Sequence, residues 1–151
     1  MRDAVVELVY RSFLALDARD WETYLALCSD DFRYAVHTFS PEIRREMVWL
    51  DHDKAGLATL LRTLPRHQSD ASPLTRHATV YTVAFEKADE RAVVVTGLQV
   101  FRTEKDGGTT SLFAVGKVHD EVRIVDRRPL LVKRTVRLDT RQLGIGTHIP
   151  F

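Results

Sequence analysis

Apolar residues return at helical spacing from Asp3 onward, at Val5, Val6, Val9, Phe13 and Leu16. That period predicts an amphipathic helix, with Asp3 as the short acceptor for free amides of its first turn. A second short helix is expected from Asp20, with Trp21, Leu25 and Cys28 facing inward. Asp30-Asp31 breaks the pattern, and the period then falls to two. Phe32, Tyr34 and Val36 alternate with Arg33, Ala35 and His37, which predicts a strand over Phe32–Phe39. Glu46–Leu50 reads as a second, shorter strand. Asp51 or Asp53 is expected to cap a helix whose apolar stripe is Leu57, Leu60, Leu61 and Leu64. Pro65 is expected to stop it.

From Pro73 the character changes to strands. Leu74–Phe85, Ala92–Thr103, Thr109–Val125 and Leu130–Asp139 are rich in Val, Thr, Tyr, Phe and Leu. Lys87-Ala88-Asp89-Glu90, Asp106-Gly107-Gly108 and Asp126-Arg127-Arg128-Pro129 carry turn chemistry. Such short links predict antiparallel hairpins rather than crossovers. Gly97 interrupts a strand and is expected to mark a bulge. Helices first and strands later give an α+β domain, a curved antiparallel sheet wrapped around N-terminal helices. One domain is expected over 1–151, with helices mainly in 1–65, the sheet mainly in 73–140 and a tail over 141–151.

Composition narrows this little further. Hydrophobic residues make up 44% and charged residues 28% of 151 residues, which disfavours disorder and a coiled coil. No run of 18 apolar residues occurs, so a membrane-spanning helix is not expected. Met1-Arg2-Asp3-Ala4 opens without the apolar core of a secretory signal, and the single Cys28 fits a reducing, cytoplasmic setting. One cysteine also excludes an intrachain disulfide and a cysteine-cage zinc site.

Charge does change the picture. Arg123–Arg141 holds seven basic and two acidic residues, +5 against a whole-chain net of +1, so the rest carries −4. A basic stripe steers anionic partners. No nucleic-acid motif accompanies it, and no nucleic-acid partner is expected. In the last strand Arg134, Val136 and Leu138 alternate with Lys133, Thr135, Arg137 and Asp139, so both faces carry charge. A charge on a buried face is costly unless paired, and one resolution is a partner subunit supplying carboxylates. The plainer resolution is a solvated face covered by long Arg stems. The apolar tail from Gln142 to Phe151 is expected to pack on its own domain or on a neighbour. Arg134, Arg137, Asp139, Ile149 and Phe151 are therefore candidates for a subunit interface.

A cone-shaped sheet encloses a cavity, so polar residues pointing inward matter. Asp17, at the end of the first helix, and His77, early in a strand, form a plausible Asp–His general base. The plainer reading makes His77 a structural histidine and Asp17 a helix-terminating charge. Asp51-His52-Asp53 has metal-ligand residue types, but adjacent residues do not share a face, so no metal site is expected there. His37, His67, His119 and His148 have no i,i+4 histidine partner. Cys28 lacks a catalytic context, and Gly144-Ile145-Gly146 lacks the strand and helix of a dinucleotide fingerprint.

Several phrases resemble the small (β) subunit of Rieske-type aromatic-ring-hydroxylating dioxygenases, within the nuclear-transport-factor-2-like (cystatin-like) cone fold. They are Leu25–Tyr34 (LALCSDDFRY), Trp49-Leu50-Asp51-His52-Asp53, Thr75-Arg76-His77, Val100-Phe101-Arg102 and Arg134-Thr135-Val136-Arg137-Leu138-Asp139. The resemblance implies a non-catalytic subunit, with no cofactor on this chain, that supports a catalytic α subunit in an assembly of three α and three β. The Rieske iron-sulfur cluster and the mononuclear iron would sit on α. A Rieske centre needs two Cys and two His, and this chain has one Cys. The implied homo-oligomer is a trimer in the complex, with a dimer as the alternative for the chain alone. Some such subunits serve monooxygenases acting on alkylsulfonates. A second resemblance, of Leu16-Asp17-Ala18-Arg19-Asp20-Trp21 to the dehydratase of fungal melanin synthesis, implies the other reading: a cofactor-independent lyase or isomerase using Asp17 and His77. There Leu16 replaces that enzyme's Tyr, and His119 matches its second His only loosely. A cone-fold domain that binds a small molecule is the third reading.

Overall fold

The structure is a computed structural model that describes residues 1–67, 72–141 and 150–151. Helix α1 (Arg2–Asp17) buries Val5, Val9, Phe13 and Leu16 as its period predicts, but Leu8 takes the inward place expected of Val6, which is only partly buried. It starts at Arg2, so Asp3 lies inside the first turn, where a carboxylate complements the helix dipole, and does not cap it. Helix α2 (Trp21–Ala26) is capped by Asp20, whose carboxylate accepts the Thr23 N–H at 3.1 Å. Tyr24 is its buried residue, and Cys28 lies beyond it as the first residue of a strand.

Strand β1 (Cys28–Ser40) includes Asp30 and Asp31, and Phe32, Tyr34 and Val36 point inward as their alternation requires. Strand β2 (Arg45–Asp53) pairs with it antiparallel. Asp53 accepts the Gly56 N–H at 2.7 Å and so caps α3 (Lys54–His67). That helix continues past Pro65 to His67 rather than stopping there.

The remaining strands are β3 (Leu74–Glu86), β4 (Arg91–Thr103), β5 (Thr110–Val125) and β6 (Arg128–Leu138). They form an antiparallel meander, as their short links predict. The six-stranded sheet runs β2-β1-β6-β5-β4-β3. The β1–β6 pair is parallel, which no local signal announced, so the sheet is mixed at one junction. α1 lies against β3 and β6, and α3 against β1 and β2. Ala92, Val94, Leu98 and Val100 of β4 share one buried cluster with Val9, Phe13 and Leu16 of α1.

Register shifts bend the sheet into a cone. The shift near Gly97 lies on the opposite strand, between Val80 and Thr82 of β3, so Tyr81 is the extra residue. Its ring lies over Gly97, where a Cβ would come within 2.9 Å of Tyr81 Cε2. Gly97 therefore makes room for the bulge residue rather than forming the bulge.

Candidate assembly surface and the interior of the cone

Successive strand residues face opposite sides of a sheet, and this parity decides the fate of the Asp–His candidate. On β3 it turns Arg76 inward and His77 outward. Asp17 is therefore met by Arg76. The Arg76 backbone N–H donates to Asp17 Oδ1 at 3.1 Å and its Nη1 donates to the same oxygen at 2.7 Å. His77 packs on Phe101 on the outer face, ring centroids 5.0 Å apart. The two candidate catalytic residues share no site. Burial works to lower the Arg76 pKa, and the Asp17 carboxylate opposes that shift.

Arg134 is fully buried within its own chain. Its Nε and Nη2 donate to the two oxygens of Asp120 on neighbouring β5 at 2.7 and 2.8 Å. Nη2 also donates to Ser12 Oγ of α1 at 2.9 Å, and the guanidinium sits 4.5 Å from the Phe13 ring centroid. Burial is the largest single influence and disfavours this charge, but Asp120 together with Tyr24 and Cys28 more than offsets it, so the Arg134 pKa is raised. The carboxylate expected from a partner thus comes from the next strand of the same chain, and the Arg134 side chain has no exposed surface. Asp120 stands between inward-facing Val118 and Val122, so an acidic residue in an apolar period was the signal that could have found it.

Phe151 is likewise buried in its own domain, at 1% exposure, rather than offered to a neighbour. Ile149, His148 and the rest of the tail over 142–149 lie outside the described residues, as does Ser69.

The outer face of the sheet carries the remaining interface candidates. Arg137 is half exposed and its Nη1 donates to Glu46 Oε1 at 2.9 Å. Arg33 pairs with Asp51 at 2.8 Å and Arg123 with Asp31 at 2.7 Å. Of the basic stripe, Arg123, Lys133, Arg134, Arg137 and Arg141 each meet a local carboxylate, and each exposed pair contributes little stability. Two hollows open on this face. One, of about 570 Å³, lies over Gly97 and includes His77, Tyr81, Gln99, Lys117 and Asp139. The other, of about 400 Å³, includes Arg33, His37, Asp51, Lys133 and Arg137. Tyr81, Phe39 and Val48 are exposed large apolar side chains on the strands of this sheet.

Asp51 and Asp53 are committed to Arg33 and to the α3 cap, and among the described residues no three His, Cys, Asp or Glu side chains gather around one point. Cys28 is buried, and burial pushes its thiol from the ordinary 9.0 to about 12. At pH 8 a thiol reagent should leave the folded chain untouched and label it once in denaturant. Rapid labelling of the native chain would show that Cys28 is accessible. The folded state keeps a proton that the unfolded chain releases near pH 9, so stability should fall as pH rises from about 9 to about 12.

Residues 11–144 match the family model described as ring hydroxylating beta subunit. The chain belongs to this β-subunit family. It is 41% identical, over 98% of its length and 86% of the relative, to the methanesulfonate monooxygenase hydroxylase subunit β of Methylosulfonomonas methylovora. It is 34% identical, over 97% of both chains, to the 2-aminobenzenesulfonate 2,3-dioxygenase subunit β of an Alcaligenes species. Among solved structures, a β subunit ascribed to an aromatic-ring-hydroxylating dioxygenase of Novosphingobium aromaticivorans superposes with a TM-score of 0.84 at 20% identity. That match covers 99% of this chain and 95% of the other. The lyase reading is not favoured.

Proposed function

We propose that this chain is the non-catalytic β subunit of a two-subunit hydroxylase that oxidises an organosulfonate in the cytoplasm. The observation that carries the reading is the near-full-length match to a hydroxylase β subunit at 41% identity. Both curated relatives are named for sulfonate substrates, one alkyl and one aryl, so the sulfonate is their common element. The α partner carries the Rieske cluster and the mononuclear iron. The single cysteine here cannot supply the two that a Rieske centre requires. The outer sheet face, with Arg137 and Asp139 exposed in its two hollows, is the surface we assign to subunit contact. In the complex three copies assemble with three α.

Co-expression with an α subunit whose gene lies beside this one tests the reading. A joint species near three plus three copies by light scattering is expected, and two independently eluting proteins would sink it. Arg137→Glu should weaken that assembly while leaving the unfolding free energy of the isolated chain within about 0.5 kcal/mol, since the residue is exposed. Unchanged assembly would remove Arg137 from the interface.

A further inference from the structure

Arg128 differs from most of the basic stripe: among the described residues no carboxylate stands at ion-pair distance from it. It opens β6 after a tight turn in which Asp126 and Arg127 take φ of 50° and 64°, and that turn sets where it leaves the sheet. There it lines a hollow of about 370 Å³ between α1, α2 and the start of β6. Leu8 of α1, Leu27 just beyond α2, and Pro129 and Leu130 of β6 give the hollow apolar walls. The Leu131 N–H donates to the Leu27 carbonyl at 2.9 Å, which ties two of these walls together through the backbone. Three charged side chains also line it, Glu7, Arg11 and Arg128. Glu7 and Arg11 stand one helical turn apart, a spacing at which such residues commonly pair. Here neither forms an ion pair with the other or with any described residue. The Thr23 hydroxyl, on the same hollow, already donates to Asp20 at 2.7 Å.

Charge and apolar surface together narrow the ligand. Two guanidiniums against one carboxylate leave the lining with a net charge of +1. A guanidinium grips an acid group through paired N–H donors, and the donors of Arg11 and Arg128 are not spent on carboxylates of the described chain. The apolar walls favour a ligand with a hydrocarbon body over a bare inorganic anion, because each methylene taken out of water adds to binding. Glu7 stands against a second negative charge. A few charged groups among apolar walls, in a hollow near the small end of the usual range, is the make-up of a small-molecule site. We propose that this hollow binds a small organic monoanion, its acid group held by Arg11 and Arg128 and its short alkyl body laid on Leu8, Leu27 and Leu130. The proposal is independent of the subunit role argued above, since it uses none of the residues assigned there to subunit contact.

Titration of the isotope-labelled chain with 1-butanesulfonate, followed by the amide signals of Leu8, Leu27 and Leu130, tests it. Saturable shifts of these three signals are expected. Methanesulfonate, which lacks the alkyl body, should bind at least about fivefold more weakly. 1-Butanol, which lacks the charge, should bind at least about threefold more weakly. These comparisons need no variant, so they decide even if a substitution disturbs the fold. Arg11→Gln and Arg128→Gln should each weaken butanesulfonate binding about threefold, while Glu7→Gln should tighten it about twofold. No saturable shift at the three amides overturns the proposal, as does 1-butanol or methanesulfonate binding as well as the probe. So do equal shifts around Arg33 and Arg137, whose guanidiniums already hold carboxylates, or a Glu7→Gln chain that binds the probe more weakly.

Discussion

Asp120→Ala should lower the unfolding free energy by about 3–5 kcal/mol, because it leaves a buried guanidinium without its counter-charge. Both side chains are fully shielded from solvent, so water cannot take the place of the lost carboxylate. Ser12 would keep one hydrogen bond to Nη2, too little to compensate a whole charge. A domain of ordinary stability holds about 5–15 kcal/mol, so the loss is a large share. Urea denaturation measures it. The paired variant Asp120→Val with Arg134→Met removes both charges and should recover most of the loss, since apolar replacements of a buried pair are often neutral or better. A loss below about 1 kcal/mol for Asp120→Ala would mean that the pair does not hold the cone together.

Gly116→Ala should cost about 3 kcal/mol, at the upper end for overpacking, because the added methyl meets backbone rather than a side chain. Gly116 pairs with Leu138 across β5 and β6, and its Cβ would press on the Arg137 carbonyl and come 2.9 Å from Leu138 Cα. Relief requires β6 to move, and β6 carries Arg134. Gly97→Ala is the control. There the obstacle is the outer end of Tyr81, an exposed ring that can swing away, so about 1 kcal/mol is expected. Equal losses in the two variants, read as urea midpoints at equal slope, would refute the distinction between a yielding ring and an unyielding strand.

These two sites show how much could be read in advance. The inward faces were legible wherever a single period held, as at Phe32, Tyr34 and Val36, and so were the hairpins from β3 to β6. Arg134 was legible as a charge in an apolar row, but its partner lies on another strand, and pairing depends on register, which local pattern does not set. The Asp17–His77 pairing failed by one residue, since a shift of one position changes faces and brings Arg76 inward instead. Phe151 was legible as a residue needing cover, while its place beside Tyr34 depends on contacts more than a hundred positions apart in the chain. Membership of the family was legible in short phrases spread along the chain. The surface that meets a partner was less so, because most of the basic stripe finds its carboxylates at home, Arg123 in Asp31, Lys133 in Glu121, Arg137 in Glu46 and Arg141 in Glu42.

The parallel pairing of β1 with β6 also dictates a timetable. Val36 lies beside Val136, so β1 and β2 gain their place in the sheet only when β6 exists. On a ribosome, the stretch between Ser40 and Leu138 takes roughly 5–20 s to emerge. Through that interval the nascent chain carries a hairpin with no sheet to join, its row of Phe32, Tyr34 and Val36 covered only by the neighbouring helices α2 and α3. The meander of β3, β4 and β5 can form meanwhile, but it stays open at the β5 edge, which β6 will later occupy. Newly made chains should therefore be clients of ribosome-associated chaperones, and stalling translation before Arg128 should yield an insoluble product where stalling after Leu138 does not.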